Sequence, residues 1–239
     1  MKLISLQIKT QDNFNNNLQK LKELILSCEE NSLILAPEVC LSGFCFDRMD
    51  EAATFSLKAI EEIKKLALNK TIALTFITKK DGKFFNTLHI FHKQNSIHTQ
   101  DKYKLFSLGN EPKHFEPGNK EDIKIIDIDG VKIATLICFE LRFPTLWEKV
   151  KGADIILNPS MWGLKRKDHF ESISKALALV NQCFVIATNS ANENMAKGSG
   201  IISPFGDLVR DDSKEKLELN ANLDEIKKVR KYIDIGLNQ

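Results

Sequence analysis

The chain has 239 residues, 43% of them hydrophobic, and carries 34 Lys and Arg against 32 Asp and Glu. That length is enough to bury one core, and no Pro/Ser/Gly-rich linker divides it, so we expect a single domain over residues 1–239. A formal charge of +2 argues against nucleic acid as the main partner, because phosphate binding usually needs a basic face.

The cysteines and the N-terminus favour a reducing compartment. The five cysteines are odd in number and none are spaced C-x-x-C, which argues against a disulfide framework or a zinc site. The N-terminus turns polar after Ile8, unlike a signal peptide, and no apolar run approaches the roughly 20 residues that span a bilayer. We expect a cytoplasmic protein with no metal, no organic cofactor and no membrane partner.

Short apolar runs alternate with amphipathic segments along the chain. Apolar spacing predicts helices at 14–29, 51–68, 143–150, 168–181 and 224–233, the last with an Asp cap. Strands are predicted at 2–8, 32–36, 71–78, 84–92, 122–127, 131–137, 153–158, 183–189, 200–203 and 216–223. Strands alternating with helices indicate an α/β fold, and the turns Asp81-Gly82 and Asp129-Gly130 indicate mixed sheets.

Three chemically useful side chains follow predicted strands. Glu38 comes directly after a buried strand, Lys102 follows a strand region ending near residue 100, and Cys138 ends the apolar run 131–137. Singly, each is more often a turn carboxylate, a surface charge or an inert buried thiol. Because the carboxyl ends of strands are where sites in α/β sheets assemble, the three together predict a catalytic site.

Longer motifs surround these residues in a familiar order. They are Pro37-Glu38, Lys102-Tyr103-Lys104-Leu105-Phe106, Cys138-Phe139-Glu140-Leu141-Arg142-Phe143-Pro144, Asn158-Pro159-Ser160-Met161-Trp162 and Ser203-Pro204-Phe205-Gly206-Asp207. In type, order and spacing the chain resembles the nitrilase superfamily of carbon–nitrogen hydrolases. The resemblance implies a four-layer α-β-β-α sandwich and a homodimer as the usual minimum assembly.

The resemblance also implies roles for the three residues. Cys138 would be the nucleophile and Glu38 the general base, while Lys102 and a backbone N–H near Phe139 would stabilise the oxyanion. The Lys102 charge is expected to lower the pKa of Cys138. The family's second glutamate fits Glu111 better than Glu116, and it would orient Lys102 or the substrate. A plain loop carboxylate is the alternative for Glu111.

The expected substrate is a small-molecule amide. The segment around Arg142 and Trp162 resembles the omega-amidase branch, which hydrolyses monoamides of 2-oxo dicarboxylic acids. Arg142 would bind the substrate carboxylate, or else pair with Glu140 or Glu148. Trp162 is interpreted as a pocket wall, or else as a core residue. The run 165–167 is interpreted mainly as solvated loop charge, with Lys165 and Arg166 as further candidates for the same carboxylate.

Several other functions stay open. An N-carbamoyl-amine hydrolase or a true nitrilase would use the same fold, and a non-catalytic thiol sensor would use Cys138 alone. A papain-like Cys–His enzyme would need His114 or His169 as its base.

The chain also departs from the family pattern at three positions. Lys104 replaces a His, and Leu177 and Val180 replace an Arg and a Glu.

Overall fold

The computed structural model describes residues 1–237 and contains two six-stranded mixed sheets. Sheet A has the strand order β12-β1-β2-β3-β4-β5, and sheet B the order β11-β10-β9-β8-β7-β6. The strands are β1 Lys2–Leu6, β2 Ser32–Leu35, β3 Thr71–Lys80, β4 Lys83–His92, β5 Asn95–Asp101, β6 Ile126–Ile128, β7 Val131–Thr135, β8 Ile155–Pro159, β9 Phe184–Thr188, β10 Gly200–Ile202, β11 Leu208–Val209 and β12 Lys216–Asn220. The helices are α1 Phe14–Leu26, α2 Met49–Leu66, α3 Pro144–Lys149, α4 Lys167–Asn181 and α5 Asp224–Tyr232.

Each sheet has a parallel centre and antiparallel edges. In sheet A, β1, β2 and β3 are parallel, with β4 and β12 antiparallel beside them. In sheet B, β7, β8 and β9 are parallel, and β6 and β10 run antiparallel. Since β12 returns from the second half of the chain to pair with β1, the two halves form one interlocked unit.

The central strands are buried on both faces, which explains their continuous apolar sequences. Leu3, Leu33 and Ala73 face sheet B, whereas their neighbours Ile4 and Ile34 belong to the cluster under α1 and α2. Sheet A packs on sheet B through β1 against β9 and β10, and α4 covers the outer side of β9 and β10. The order of layers is therefore α-β-β-α, as the family resemblance implied.

The two hairpin turns predicted from the Asp-Gly pairs are present in the structure. Asp81 and Gly82 have φ values of 49° and 78°, and Asp129 and Gly130 have 50° and 84°. Two consecutive left-handed residues form the turn that matches the twist of paired strands, and Asp-Gly adopts it readily.

Some element predictions were wrong. The strand predicted at 122–127 begins only at Ile126, because Lys120–Asp122 forms a 3-10 turn capped by Asn119. Asp224 is the first residue of α5 and not its cap; Asn222 Oδ1 instead accepts a hydrogen bond from the Asp224 N–H. The two-residue strand β11 had no apolar run long enough to predict it.

None of the helices within residues 1–237 combines the length and the apolar character needed to cross a membrane.

Candidate active site

Glu38, Lys102 and Cys138 meet where the ends of the two sheets come together. Glu38 follows β2 and Lys102 follows β5 in sheet A, whereas Cys138 follows β7 in sheet B. The backbone N–H of Glu38 donates to the carbonyl of Ser160, which follows β8, at 3.2 Å. This bond ties the two sheets together beside the site.

Lys102 lies fully buried between two carboxylates. Its Nζ is 2.7 Å from Glu38 Oε1 and 2.8 Å from Glu111 Oε1. Burial alone lowers the pKa of Lys102, but the charges of Glu38, Cys138 and Glu111 outweigh it and raise the pKa above its ordinary value. The ammonium is therefore permanent, as an oxyanion-stabilising cation must be.

Glu111 is a buried member of the site and not a loop carboxylate in solvent. Its Oε1 accepts from Lys102, and its Oε2 accepts from the Phe106 N–H at 3.0 Å. Burial raises its pKa, while the Lys102 charge works in the opposite direction. Glu116, the weaker candidate, is half-exposed and faces Lys83 at 3.5 Å.

The two oxygens of Glu38 have different surroundings. Oε1 accepts from Lys102 and, at 2.8 Å, from Asn86 Nδ2. Oε2 is buried and accepts no N–H or O–H hydrogen bond from any described residue, while the Cys138 thiol is within interaction distance of the Glu38 side chain. One oxygen therefore fixes the carboxylate, and the other is available to take a proton.

Asn86 holds this pair and was missed in the sequence. Its side chain donates to Glu38, and its backbone carbonyl accepts from the Lys102 N–H at 2.8 Å. It is 1% exposed, in strand β4. The one available signal was a carboxamide among the aromatic and aliphatic residues of this strand.

Cys138 occupies a strained position at the start of a 3-10 turn, Cys138–Arg142. Its φ is 48°, which is uncommon for a residue other than glycine and is often found at functional sites. The side chain is 7% exposed. The sharp reversal after β7 presents the thiol at the end of the strand.

The Cys138 thiol is less acidic than an ordinary cysteine thiol. Burial and then the charge of Glu38 raise the pKa of Cys138 well above its ordinary value. Lys102 lowers that pKa as predicted, but its effect is the smaller one. The reactive thiolate therefore needs a base to form it.

Glu140 is a second residue that the sequence did not single out. It is fully buried and accepts hydrogen bonds from the backbone N–H groups of Tyr103 at 2.7 Å and Ile137 at 2.6 Å. These donors adjoin Lys102 and Cys138, so Glu140 joins the segments that carry these two residues. Burial raises its pKa to about 7 against the stabilising effect of these hydrogen bonds. A carboxylate two residues after the cysteine was the available signal.

Beside the thiol lies a cavity that is open to solvent. Its lining combines aromatic rings with two guanidinium groups: Phe106, Cys138, Phe139, Arg142, Met161, Trp162 and Arg166. Of the four residues predicted to bind the substrate, Phe139, Arg142 and Trp162 line this cavity, whereas Glu111 does not.

Arg142 has no carboxylate partner among the described residues. Its Nη2 donates to His169 Nδ1 at 2.9 Å, and its guanidinium lies 4.6 Å from the centroid of the Trp162 ring. The alternative that Arg142 pairs with Glu140 or Glu148 is therefore wrong. The aromatic face orients the guanidinium and leaves its charge available to a ligand.

The departures from the family pattern have simple local surroundings. Lys104 Nζ lies 4.4 Å from the Tyr103 ring centroid and 5.2 Å from that of Phe143. Leu177 is buried in the core and Val180 is 57% exposed. An apolar pair at these helix positions therefore leaves no buried charge unpaired.

No cluster of three or more His, Cys, Asp or Glu that could hold a metal occurs within residues 1–237. The site consists instead of the Cys138 thiol and the Lys102 ammonium, which is ion-paired with Glu38 and Glu111.

A sequence profile described as carbon-nitrogen hydrolase matches residues 3–230. The chain belongs to this family, within the nitrilase superfamily.

The chain is also similar to two named amidases and to a solved structure. A 2-oxoglutaramate amidase from Bacillus subtilis (strain 168) is 30% identical over 216 residues, covering 85% of this chain and 83% of that protein. The omega-amidase YafV from Escherichia coli (strain K12) is 25% identical over 218 residues, covering 87% and 83%. The crystal structure of a CN-hydrolase superfamily protein from Xanthomonas campestris superposes with a TM-score of 0.84 at 19% identity, covering 98% and 94%.

Proposed function

We propose that this protein is an amidase that hydrolyses a small-molecule C–N bond through a thioester on Cys138. One observation carries the proposal: a buried ammonium, Lys102, is fixed between Glu38 and Glu111 beside a buried thiol at an open cavity. Base, cation and nucleophile of this kind make up the machinery that acyl transfer needs.

The first half-reaction forms the acyl-enzyme. Glu38 Oε2 takes the Cys138 proton as the sulfur attacks the amide carbon, and the resulting oxyanion is stabilised by Lys102 and the backbone N–H of Phe139. Losing one such donor typically costs about 3–4 kcal/mol in the transition state. Glu38 then gives the proton to the leaving nitrogen, the C–N bond breaks, and ammonia departs.

The second half-reaction restores the enzyme. Glu38 takes a proton from water as its oxygen attacks the thioester carbon. The C–S bond breaks, the carboxylic acid product leaves, and the proton returns to the Cys138 sulfur. Because Oε1 of Glu38 stays bonded to Lys102 and Asn86, the carboxylate need not move between the two steps.

The proposed substrates are monoamides of 2-oxo dicarboxylic acids. Arg142 stands at the cavity without an acidic partner among the described residues, and a guanidinium binds a carboxylate in a bidentate manner. The names of the two amidase relatives point to the same class. N-carbamoyl amino acids also carry a carboxylate and form the second candidate class, whereas a simple nitrile carries none.

The test is ammonia release from 2-oxoglutaramate, 2-oxosuccinamate, glutamine, an N-carbamoyl amino acid and a simple nitrile. We expect turnover of the 2-oxo amides by the wild type and none by Cys138→Ala. Cys28→Ala, which removes a thiol beside α1, is the matched control and should keep full activity. Carbon dioxide released with the ammonia would indicate a carbamoylase instead. Turnover that persists in Cys138→Ala would overturn the mechanism, and no turnover of any compound would favour a thiol sensor.

We further propose that residues 1–239 act as one domain, and that the protein is a cytoplasmic homodimer, as the family resemblance implies. Light scattering of the purified protein tests the assembly: a mass of one 27.1 kDa chain would contradict the dimer.

A further inference from the structure

Arg166 is a cation at the cavity that the proposed mechanism does not use. It ends the 3-10 turn Leu164–Arg166 and precedes α4. Its guanidinium lies 5.1 Å from the centroid of the Phe106 ring and lines the cavity that holds Cys138. The interpretation of the run 165–167 as solvated loop charge is therefore wrong for this residue.

The three cations of that run differ in their partners. Lys167 is paired with Asp212 and also faces Glu171. Lys165 is exposed and does not line the cavity. Arg166, by contrast, has no carboxylate within ion-pair distance in the part of the chain described, yet it is half-buried. A half-buried cation facing a cavity without a counter-ion is poised for an anionic ligand.

Arg142 places a second positive charge at the same cavity. Burial lowers the pKa of Arg142, and so does the nearby charge of Arg166. Two guanidinium groups therefore repel each other across one small cavity. An anion entering between them relieves this repulsion and gains hydrogen bonds from both.

Two neighbouring residues lie against the arginines. Trp162 is 4% exposed, and its indole N–H has no acceptor among the described residues. Gly163 keeps space beside Arg166, since a Cβ atom there would lie 3.2 Å from Arg166 Nη2.

We propose that Arg166 is a specificity-determining residue that binds the substrate carboxylate together with Arg142. The site then favours amides whose far end is a carboxylate over neutral amides. This inference rests on the proposed amidase function and adds to it a second arginine.

The first experiment compares Arg166→Gln with the matched control Lys165→Gln. Both remove one positive charge from adjacent positions, but only one of these charges faces the cavity. The readout is ammonia release from 2-oxoglutaramate and from butyramide, a neutral amide. We expect Arg166→Gln to lower kcat/KM for 2-oxoglutaramate by about ten- to a hundredfold, mainly through KM. Lys165→Gln should stay within about twofold of the wild type.

The neutral amide distinguishes specificity from damage to the fold. Butyramide turnover, which needs Cys138 but no carboxylate site, should be unchanged in Arg166→Gln. An equal loss on both substrates would overturn the proposal, because it would indicate a structural role. An unchanged KM for 2-oxoglutaramate would overturn it as well.

A binding experiment separates this inference from the proposed reaction. Calorimetric titration of Cys138→Ala with 2-oxoglutarate, the deamidated product, requires no turnover. We expect the dissociation constant to rise at least about tenfold in the double variant with Arg166→Gln. An equal dissociation constant would reject the role of Arg166 even if the enzyme is an amidase. If the dissociation constant rises in the double variant but the wild-type enzyme releases no ammonia from any amide, the anion site is supported and the proposed reaction is rejected.

Discussion

Lys102 and Glu38 form a fully buried ion pair, with Nζ 2.7 Å from Oε1 and no exposed side-chain surface on either residue. Such a pair stabilises a protein little by itself, because desolvation offsets the attraction, but removing one partner is strongly destabilising. We therefore infer that the pair serves to hold the Lys102 ammonium and the Glu38 carboxylate at fixed positions. Glu111 adds a second carboxylate to the same ammonium.

Glu111→Gln should reduce turnover while the protein stays folded. The substitution removes one of the two negative charges that contact Lys102. Its amide nitrogen also places a donor where either Lys102 or the Phe106 N–H needs an acceptor. A charge-assisted hydrogen bond contributes about 1.5–3 kcal/mol, so kcat should fall by about ten- to a hundredfold. Steady-state ammonia release checks this, with Glu116→Gln as the half-exposed control. Similar losses in both variants would mean that Glu111 has no special role.

The Cys138 thiol should remain protonated through neutral pH and become more acidic in Glu38→Gln. Burial and Glu38 raise the pKa of this thiol, so the neutral form persists to higher pH. Removing the Glu38 charge removes the second of these causes, and the pKa should fall even as turnover is lost. Titration of thiolate absorbance in the ultraviolet, with Cys138→Ala as the blank, measures it. An unchanged midpoint would show that Glu38 does not act on the thiol.

Stability should decrease with rising pH because of Glu140. Its pKa rises from 4.5 to about 7 on folding, so the folded state binds a proton more tightly than the unfolded state. The free energy of unfolding then falls between pH 4.5 and about 7, by about 3 kcal/mol from this group. Glu140→Gln lacks this titration, so its deficit against the wild type should be larger at pH about 5 than at pH about 8.

Urea unfolding of both proteins at the two pH values tests the Glu140 prediction. The difference between wild type and variant isolates Glu140 from the other titrating groups. A deficit that does not change with pH would mean that Glu140 stays ionised in the folded protein throughout this range.

Neither His114 nor His169 should be needed for the chemical step. His114 stacks on Phe46 with ring centroids 4.1 Å apart, and His169 Nδ1 accepts from Arg142. His114→Ala and His169→Ala should keep kcat within about threefold, although loss of the Arg142 contact should raise KM in the latter. General-base catalysis contributes about a hundredfold or more. A loss of kcat on that scale in either variant would favour a Cys–His mechanism.

Trp162→Phe should weaken binding of a 2-oxo amide without affecting the cysteine. The substitution keeps an aromatic wall but removes the unpaired indole N–H. One neutral hydrogen bond corresponds to about 1 kcal/mol, so kcat/KM should fall about fivefold. Trp147→Phe is the matched control, since its N–H donates to the Leu141 carbonyl at 3.0 Å outside the cavity. Equal losses of kcat/KM in the two variants would show that Trp162 does not contact the substrate.

Much of the candidate site could be predicted because its motifs are local. Pro37-Glu38 and the segment after Cys138 each follow an apolar strand, and strand ends are readable from a short window of sequence. Asn86 could not be found in this way, and Arg166 could be named only as one of two candidates, beside Lys165. An Asn within a strand and an Arg in a basic run have ordinary explanations until their neighbours in space are known.

The sequence by itself determined the alternation of strands and helices, the two Asp-Gly hairpins, and the order of Glu38, Lys102 and Cys138. These features depend on local periodicity and backbone preference. Only the tertiary structure decided which charges meet, because Glu38 and Lys102 are 64 residues apart in the chain and Cys138 comes from the other sheet. It also decided that the pKa of Cys138 is raised. Burial depends on the whole fold, and here its effect on this pKa is larger than the opposite effect of Lys102.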